Sequence, residues 1–242
     1  MELSGAALVR VPAALDAARV AELSDAVACA STDARSSVVL LRGADGTVFC
    51  RGVDFAAAAG GGDVSAAIEQ FDRTLAAIRH CSKPVICIVE GEAAGGGVGV
   101  AAAADVVVAT PNASFALPEL LFGLAPAIVL PYLAERMSIQ KLRWLALTSE
   151  RIDAATAAHL GLVDRVELPE HGDAVVAAWI ARLRRLRPGA IADWKRMTAR
   201  APSIGSAEGR QATIAALGDP QVSGRLRRFA DGGEPPWSTE RR

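Results

Sequence analysis

The segment at residues 83–110 reads KPVICIVEGEAAGGGVGVAAAADVVVAT and places a glycine-rich turn between two apolar runs. The apolar runs, 84–91 and 105–109, are rich in β-branched residues and unbroken by polar ones, which predicts strands covered on both faces. Glycines at 95–97 and 99 lead directly into an alanine-rich helical segment. The whole segment therefore predicts strand, glycine turn, short helix and strand, the rhythm of an α/β fold.

The residues on the N-terminal side continue this alternation. Residues 37–43, SVVLLRG, form a third apolar run that predicts another buried strand. An amphipathic helix is predicted at 14–29. A second helix is predicted at 64–80, where apolar residues recur at steps of four and three and so share one face, namely Val64, Ile68, Phe71, Leu75 and Ile78.

The C-terminal part has a different pattern. From about Ala134 onward the sequence predicts only helices, at 139–148, 153–160, 173–186 and 189–200. Asp153 and Asp173 are the predicted N-cap residues of two of them. We therefore divide the chain into a strand-rich part, 1–133, and a helical part with its tail, 134–242.

Composition excludes several classes of function. The chain has 242 residues with 26 Lys and Arg against 27 Asp and Glu, and a near-neutral chain lacks the counterion release that drives nucleic-acid binding. No stretch approaches the roughly 18 to 20 apolar residues of a spanning helix, so we expect no membrane insertion. Residues 1–5, MELSG, have no basic region before an apolar run, so we expect no signal peptide and a cytoplasmic location.

The four cysteines do not indicate a metal site. They form neither a CxxC pair nor a Cys/His ligand pattern, and they are Cys29, Cys50, Cys81 and Cys87. Such a pattern favours buried free thiols over zinc ligands or disulfides. We therefore expect no metal.

Two glycine-containing segments are candidates for binding an oxygen atom. The first is TVFCRGVDF at 47–55 and the second is GEAAGGGVG at 91–99. Both follow predicted strands at their carboxyl ends, where α/β sheets bind ligands, and together they would offer two backbone N–H groups to one oxygen. The alternative is that these glycines only make tight turns. Gly95-x-Gly97-x-Gly99 does not match the dinucleotide pattern GxGxxG.

A third segment, 113–126, contains one carboxylate in an apolar setting. Glu119 is flanked by Leu117, Leu120, Leu121 and Phe122, and desolvation there would raise its pKa toward the useful range of a general acid or base. The alternative is a carboxylate at a helix start after Pro118, which favours the helix dipole and has no catalytic role.

Taken together, these segments resemble the enoyl-CoA hydratase/isomerase (crotonase) superfamily over about residues 8–200. The resemblance rests on pieces in family order, which are VFCRGVDF (48–55), 83–110, SFALPELLFGLAPA (114–127) and RIDAATAAHLGLVDRV (151–166). It implies an α/β fold, a crotonase-like spiral of ββα units at 1–133, with a C-terminal helical trimerisation region at 134–242. It also implies a homotrimer or hexamer, a thioester substrate carried by CoA or an acyl carrier protein, and no cofactor.

The resemblance assigns roles to particular residues. The backbone N–H groups of Val53 and Gly96 would form an oxyanion hole for the thioester carbonyl, and Glu119 matches one of the two glutamates that hydratases use. The second glutamate position is Gly99, which speaks against ordinary hydration of an enoyl-CoA. Arg51 is a candidate ligand for a distal carboxylate of the substrate. Lys195, together with the basic run at 182–187, is a candidate for the phosphopantetheine phosphate.

Two reactions need only one carboxylate. A Δ3,Δ2-enoyl-CoA isomerase shuttles one proton from C2 to C4. The longer pieces at 114–141 and 183–197 are more similar to the dehydratases of polyketide β-branching cassettes, which eliminate water from 3-hydroxy-3-methylglutaryl-acyl carrier protein and give a 3-methylglutaconyl thioester. We hypothesise that Gly99 leaves room for the branch methyl or carboxylate of that substrate. A different class of function is an inactive scaffold that binds carrier protein.

Overall fold

The computed structural model describes residues 4–44, 46–53, 64–186, 188–198 and 206–233. The strands are β1 (Ala6–Val11), β2 (Val38–Gly43), β3 (Val48–Cys50), β4 (Val85–Val89), β5 (Glu92–Ala94), β6 (Val106–Ala109), β7 (Ser114–Ala116), β8 (Ile152–Asp153) and β9 (Arg165–Val166). The helices are α1 (Ala17–Thr32), α2 (Val64–Arg79), α3 (Gly96–Ala102), α4 (Leu130–Ala134), α5 (Ile139–Thr148), α6 (Ala154–His159), α7 (Pro169–Leu183), α8 (Pro188–Thr198), α9 (Ser206–Gly218) and α10 (Pro220–Ala230). A 3₁₀ helix spans Glu119–Phe122.

The strands form two sheets, and successive strand pairs divide between them. The larger sheet has the order β1-β2-β4-β6-β9, and the smaller has the order β3-β5-β7-β8. Each of the pairs β2 and β3, β4 and β5, and β6 and β7 gives its first strand to the larger sheet and its second to the smaller. Pairing is parallel except between β7 and β8. This alternation is the ββα spiral, so the α/β prediction is confirmed.

Burial explains the unbroken apolar runs. Every residue of β4 is buried, and β2 is buried at all positions except Arg42. One face of the larger sheet contributes to the main core with α1 and α2. The other face packs on α7 in a second cluster that contains Val38, Leu40, Ile86, Ile88, Val108, Val176 and Ile180. Because helices cover both faces, a polar residue in these strands would lose its hydration.

A close backbone approach joins the two glycine-containing segments. A side-chain carbon added at Gly97 would lie 1.9 Å from the carbonyl oxygen of Cys50. Only a residue without a side chain permits this contact between α3 and the end of β3. The glycine turn of 83–110 is therefore pressed directly against the segment that contains Arg51 and Val53.

Two predictions about the C-terminal part are wrong. The region after Ala134 is not entirely helical, because β8 and β9 complete the smaller and larger sheets at one edge each. Strands of two residues are too short to show a two-residue periodicity in the sequence. Asp173 is not an N-cap, because α7 begins earlier, at Pro169. The Asp173 carboxylate instead accepts a hydrogen bond of 3.0 Å from Arg42 Nη1.

Other predictions about local structure are confirmed. Asp153 caps α6 by accepting a hydrogen bond of 2.7 Å from the backbone N–H of Thr156, and α5 has its predicted bounds. Cys50, Cys81 and Cys87 are buried free thiols, whereas Cys29 is an exposed one. None of the helices in the described ranges combines the length and the apolar character needed to cross a membrane.

Candidate active site

One pocket brings together the three segments singled out in the sequence. Arg51 and Val53 come from the chain after β3, Gly95 and Gly96 from the start of α3, and Glu119 from the 3₁₀ helix. The rest of the lining is mainly apolar and comprises Ile68, Phe71, Pro118, Leu124, Ala125, Pro126, Ala127, Ile128, Val129, Thr213 and Leu217. Four predicted site residues, Arg51, Val53, Gly96 and Glu119, therefore share one cavity.

The segments with the two candidate amides lie in direct contact. Gly52 has φ +81°, and a side-chain carbon added there would lie 2.6 Å from the backbone nitrogen of Gly96. The nitrogen of Gly96 belongs to the first residue of α3, so no carbonyl of the helix accepts its hydrogen, and no side chain among the described residues caps this helix. The neighbouring N–H of Gly95 is used differently, because it donates to the carbonyl of Ala116 at 3.0 Å. The Gly96 N–H has no acceptor among the residues that the structure describes, and Gly96 and Val53 line the same pocket.

Glu119 is a buried carboxylate with an unmatched oxygen. The residue is 8% exposed, and its Oε2 atom has no hydrogen-bond partner among the described residues. Burial raises the pKa of Glu119 to about 7, although a backbone hydrogen bond acts in the opposite direction. Its Oε1 atom lies 3.1 Å from the position that a side-chain carbon at Gly95 would take. The carboxylate therefore lies against Gly95, the residue that precedes α3, in the pocket that Gly96 also lines.

The C-terminal helices support this site, which the sequence analysis did not predict. Phe122 and Leu124, just after Glu119, pack on Val222 and Leu226 of α10. Phe122 also meets Phe229 edge to face with ring centroids 5.3 Å apart. Thr213 and Leu217 of α9 line the pocket itself. The spacing of Val222, Leu226 and Phe229 places them on one apolar face of a helix. This spacing could have predicted that α10 packs through that face, but not that it packs on the segment after Glu119.

In the structure Val129 lies directly against Gly99, and the room that Gly99 would leave for the substrate stays a hypothesis. A side-chain carbon added at Gly99 would lie 2.3 Å from Cγ1 and 2.9 Å from Cβ of Val129. Val129 is 3% exposed and fills the space beside Gly99. Gly99 is not among the described residues that line the Glu119 pocket, so its role at this position is to admit the Val129 side chain.

We expect Gly99→Ala to lower the free energy of unfolding by about 1 to 3 kcal/mol, the usual cost of overpacking a core. Urea unfolding measures this change. Gly172→Ala is the matched control, because Gly172 is also helical and an added carbon there meets nothing within 4 Å; alanine should be neutral or stabilising at that site. Combining Gly99→Ala with Val129→Ala should recover part of the loss, and an unchanged loss would contradict the proposed clash.

Lys195 lies outside the Glu119 pocket. Its ammonium group donates to Asp105 Oδ2 at 2.6 Å and to the carbonyl of Lys83 at 3.1 Å, and its side chain is only 7% exposed. It borders another cavity of about 840 Å³, which shares none of its described lining residues with the Glu119 pocket. Within this chain Lys195 therefore fastens α8 to Asp105 at the start of β6. That Lys195 binds the phosphopantetheine phosphate stays a prediction.

The raised pKa of Glu119 predicts a change of stability with pH. Between 4.5, its ordinary pKa, and about 7 in the folded chain, the folded state binds more protons than the unfolded state, so stability falls as pH rises. At about 1.4 kcal/mol per pKa unit, Glu119→Gln should stabilise the chain by about 3 kcal/mol at pH 8. The gain should shrink below about 1 kcal/mol at pH 5.

Urea unfolding at both pH values checks this expectation. Glu150 is exposed, so Glu150→Gln serves as a control that should change stability little at either pH. If Glu119→Gln raised the free energy of unfolding equally at pH 5 and pH 8, the added stability would not come from removal of the carboxylate charge.

Comparisons with known proteins show what this chain is similar to. A sequence model described as enoyl-CoA hydratase/isomerase matches residues 10–237, which include every residue lining the pocket. The bacillaene synthase dehydratase PksH of Bacillus subtilis is 34% identical over 155 residues, 63% of this chain and 59% of that protein. A Rhodobacter capsulatus protein described as an enoyl-CoA hydratase is 34% identical over 214 residues, 86% of this chain and 75% of that protein. The crystal structure of a polyketide biosynthesis enoyl-CoA hydratase from Bacillus subtilis has a TM-score of 0.83 at 27% identity, covering 94% of this chain and 95% of that one.

Proposed function

Because the chain belongs to the enoyl-CoA hydratase/isomerase family, we propose that it is a hydro-lyase that acts on an acyl thioester. The substrate we propose is 3-hydroxy-3-methylglutaryl-acyl carrier protein, and the product is the 3-methylglutaconyl thioester. One observation carries the proposal: Glu119 is a buried carboxylate with a raised pKa, and it lines the same pocket as Gly96. The second carboxylate position is Gly99, packed against Val129.

In the proposed reaction Glu119 serves as both base and acid. Its carboxylate removes a proton from C2 of the acyl group, and the electrons of that C–H bond move into an enolate. The N–H groups of Val53 and Gly96 donate to the enolate oxygen. As the C2–C3 double bond forms, the C3–O bond breaks and Glu119 returns the proton to the departing hydroxyl, which leaves as water. Glu119 ends the cycle ionised, as it began.

A pKa of about 7 suits this double role. A carboxyl group with an ordinary pKa is a weak base toward a carbon acid, and at neutral pH little of it is protonated and able to act as an acid. A carboxyl group whose pKa lies near the working pH populates both the ionised and the protonated form. The apolar lining of the pocket and the burial of Glu119 raise this pKa and exclude water. With Gly99 at the second carboxylate position, the site differs from one in which two carboxylates hold and activate water, and Glu119 alone would serve both directions of the reaction.

One relative supports dehydration as the direction of reaction, whereas the Rhodobacter capsulatus relative and the matched crystal structure are described as enoyl-CoA hydratases. PksH is named as a dehydratase of bacillaene synthase, and the matched crystal structure is described as a polyketide biosynthesis enzyme. We extend this to a carrier-borne substrate, with Arg51 as ligand for its distal carboxylate. CoA is the alternative carrier. The proposal also includes cytoplasmic location, assembly as a homotrimer or hexamer, and residues 1–133 as core with 134–242 as oligomerisation region.

A Δ3,Δ2-enoyl-CoA isomerase is the second candidate, because one carboxylate is enough to move a proton from C2 to C4. Incubation of the purified protein with each thioester, followed by product mass, separates the candidates. Loss of one water from the 3-hydroxy-3-methylglutaryl thioester supports the dehydratase. An unchanged mass with a shifted double bond in a 3-enoyl thioester supports the isomerase. Binding of acyl carrier protein without turnover of either compound supports the inactive scaffold.

A further inference from the structure

A chain of polar side chains crosses the smaller sheet beside the pocket. Arg51 Nε donates to Glu92 Oε2 at 2.9 Å, and Arg151 Nη2 donates to Glu92 Oε1 at 2.6 Å. Arg151 Nη1 also donates to Ser114 Oγ at 3.0 Å. Each oxygen of the Glu92 carboxylate therefore holds one guanidinium group, and only Arg51 belongs to the pocket lining.

The sheet holds Glu92 and Ser114 in place. Glu92 of β5 pairs with Ser114 of β7, and Ser114 pairs with Asp153 of β8, two residues after Arg151. Glu92 is therefore anchored by backbone pairing, whereas Arg51 follows the end of β3 and its side chain is 61% exposed. An ion pair this exposed contributes little to stability, so its main effect is to orient the Arg51 guanidinium.

The charges in this cluster do not cancel. Two guanidinium groups share one carboxylate, which leaves one positive charge in excess within the cluster. Burial opposes ionisation of Glu92, but hydrogen bonds from Arg51 and Arg151 outweigh it and lower its pKa, so the carboxylate stays ionised at neutral pH. Within the described part of the chain, the Arg51 side chain donates hydrogen bonds only through Nε. Its two terminal nitrogens then form an open fork that matches a carboxylate.

We infer that Glu92 is a positioning residue that aims the Arg51 fork at a carboxylate on the acyl group, and that Arg151 supplies the charge that keeps this cluster cationic. The inference rests on the proposed function, in which the acyl thioester enters the Glu119 pocket. It makes Arg51, Glu92 and Arg151 the determinants of preference for an acidic over a neutral acyl chain.

Binding of two unreactive ligands tests the inference. Glutaryl-CoA and pentanoyl-CoA have acyl chains of the same length, and only the first ends in a carboxylate. By calorimetry we expect the parent to bind glutaryl-CoA more tightly. Arg51→Gln should weaken the binding of glutaryl-CoA by about ten- to hundredfold, the range for a hydrogen bond to a charged group. The same substitution should change the binding of pentanoyl-CoA by less than about threefold. Arg51→Lys should restore part of the preference, since it keeps the charge and loses the fork.

Glu92→Gln distinguishes a role of Glu92 in positioning Arg51 from a purely electrostatic effect of its negative charge. Removing a negative charge near the ligand would by itself tighten glutaryl-CoA binding, whereas loss of positioning should weaken it by about tenfold. Arg35→Gln is the control, because the Arg35 side chain is 92% exposed and pairs only with Asp33 among the described residues. Melting curves verify that each variant is folded.

Two results would overturn the inference. Equal losses for both ligands in Arg51→Gln would mean that Arg51 contacts the CoA portion, and tighter glutaryl-CoA binding in Glu92→Gln would mean that Glu92 only offsets charge. Neither acyl chain carries a hydroxyl group that could leave as water, so the result does not depend on turnover. If the protein prefers glutaryl-CoA but does not dehydrate the proposed substrate, the proposed reaction is wrong and the inference stands. If the protein dehydrates the substrate but shows no preference for glutaryl-CoA, the inference is wrong and the proposed reaction stands.

Discussion

Glu119→Gln is expected to lower kcat for the dehydration at least about a hundredfold, the scale of general acid and base contributions. Glutamine has nearly the shape of glutamate, but it can neither remove the C2 proton nor return it to the hydroxyl. The pocket walls, including Ile68 and Phe71, and the Gly96 amide are unchanged by the substitution, so KM should change much less than kcat. Steady-state kinetics on the 3-hydroxy-3-methylglutaryl thioester measure both quantities.

The pH profile of the parent gives a second signature. Because the ionised form of Glu119 starts the cycle and its pKa is about 7, kcat/KM should fall about tenfold per unit of pH well below that value. Glu119→Gln should lose this dependence in any residual activity. Glu150→Gln, at an exposed position, should behave like the parent. Full activity of the Glu119→Gln variant would show that the Glu119 carboxylate does not take part in the reaction.

Gly52→Ala is expected to lower kcat by about a hundred- to a thousandfold, the usual effect of removing one oxyanion donor. The new methyl carbon would lie 2.6 Å from the nitrogen of Gly96 and 2.9 Å from the carbonyl oxygen of Ala94. Both contacts are to backbone, which cannot rotate away. The methyl group would therefore cover the Gly96 N–H or push the Val53 segment away from α3, and either change separates the two proposed donors.

Gly46→Ala is the matched control for backbone strain. Gly46 has φ +73°, close to the +81° of Gly52, but an added carbon there meets nothing within 4 Å. Both substitutions place alanine in the left-handed region, which costs of order 1 kcal/mol, and Gly52→Ala adds the cost of its contact with the backbone. Only Gly52→Ala should lose activity, measured below the melting temperature of both variants. Normal turnover by a folded Gly52→Ala protein would contradict the pairing of the two amides.

Much of the local structure follows from neighbouring residues. The unbroken run at 84–91 predicts β4, and the apolar steps at 64–80 predict α2, because each pattern reflects burial of an element that extends over several residues. The two-residue strands β8 and β9 leave no such pattern. Asp173 has the side chain of an N-cap, but α7 begins before it, and Arg42, distant in sequence, provides its partner.

For the candidate site, too, some features follow from neighbouring residues and others only from the tertiary structure. The sequence by itself determined the chemical groups, namely two glycine-flanked amides and one carboxylate in apolar surroundings, because those properties depend on adjacent residues. Only the tertiary structure decided what surrounds them. Val129 fills the space at Gly99, Asp105 takes the charge of Lys195, and α10 supports the Glu119 turn. Each of these depends on packing between residues far apart in the chain, and one sequence contains no periodicity that specifies such contacts.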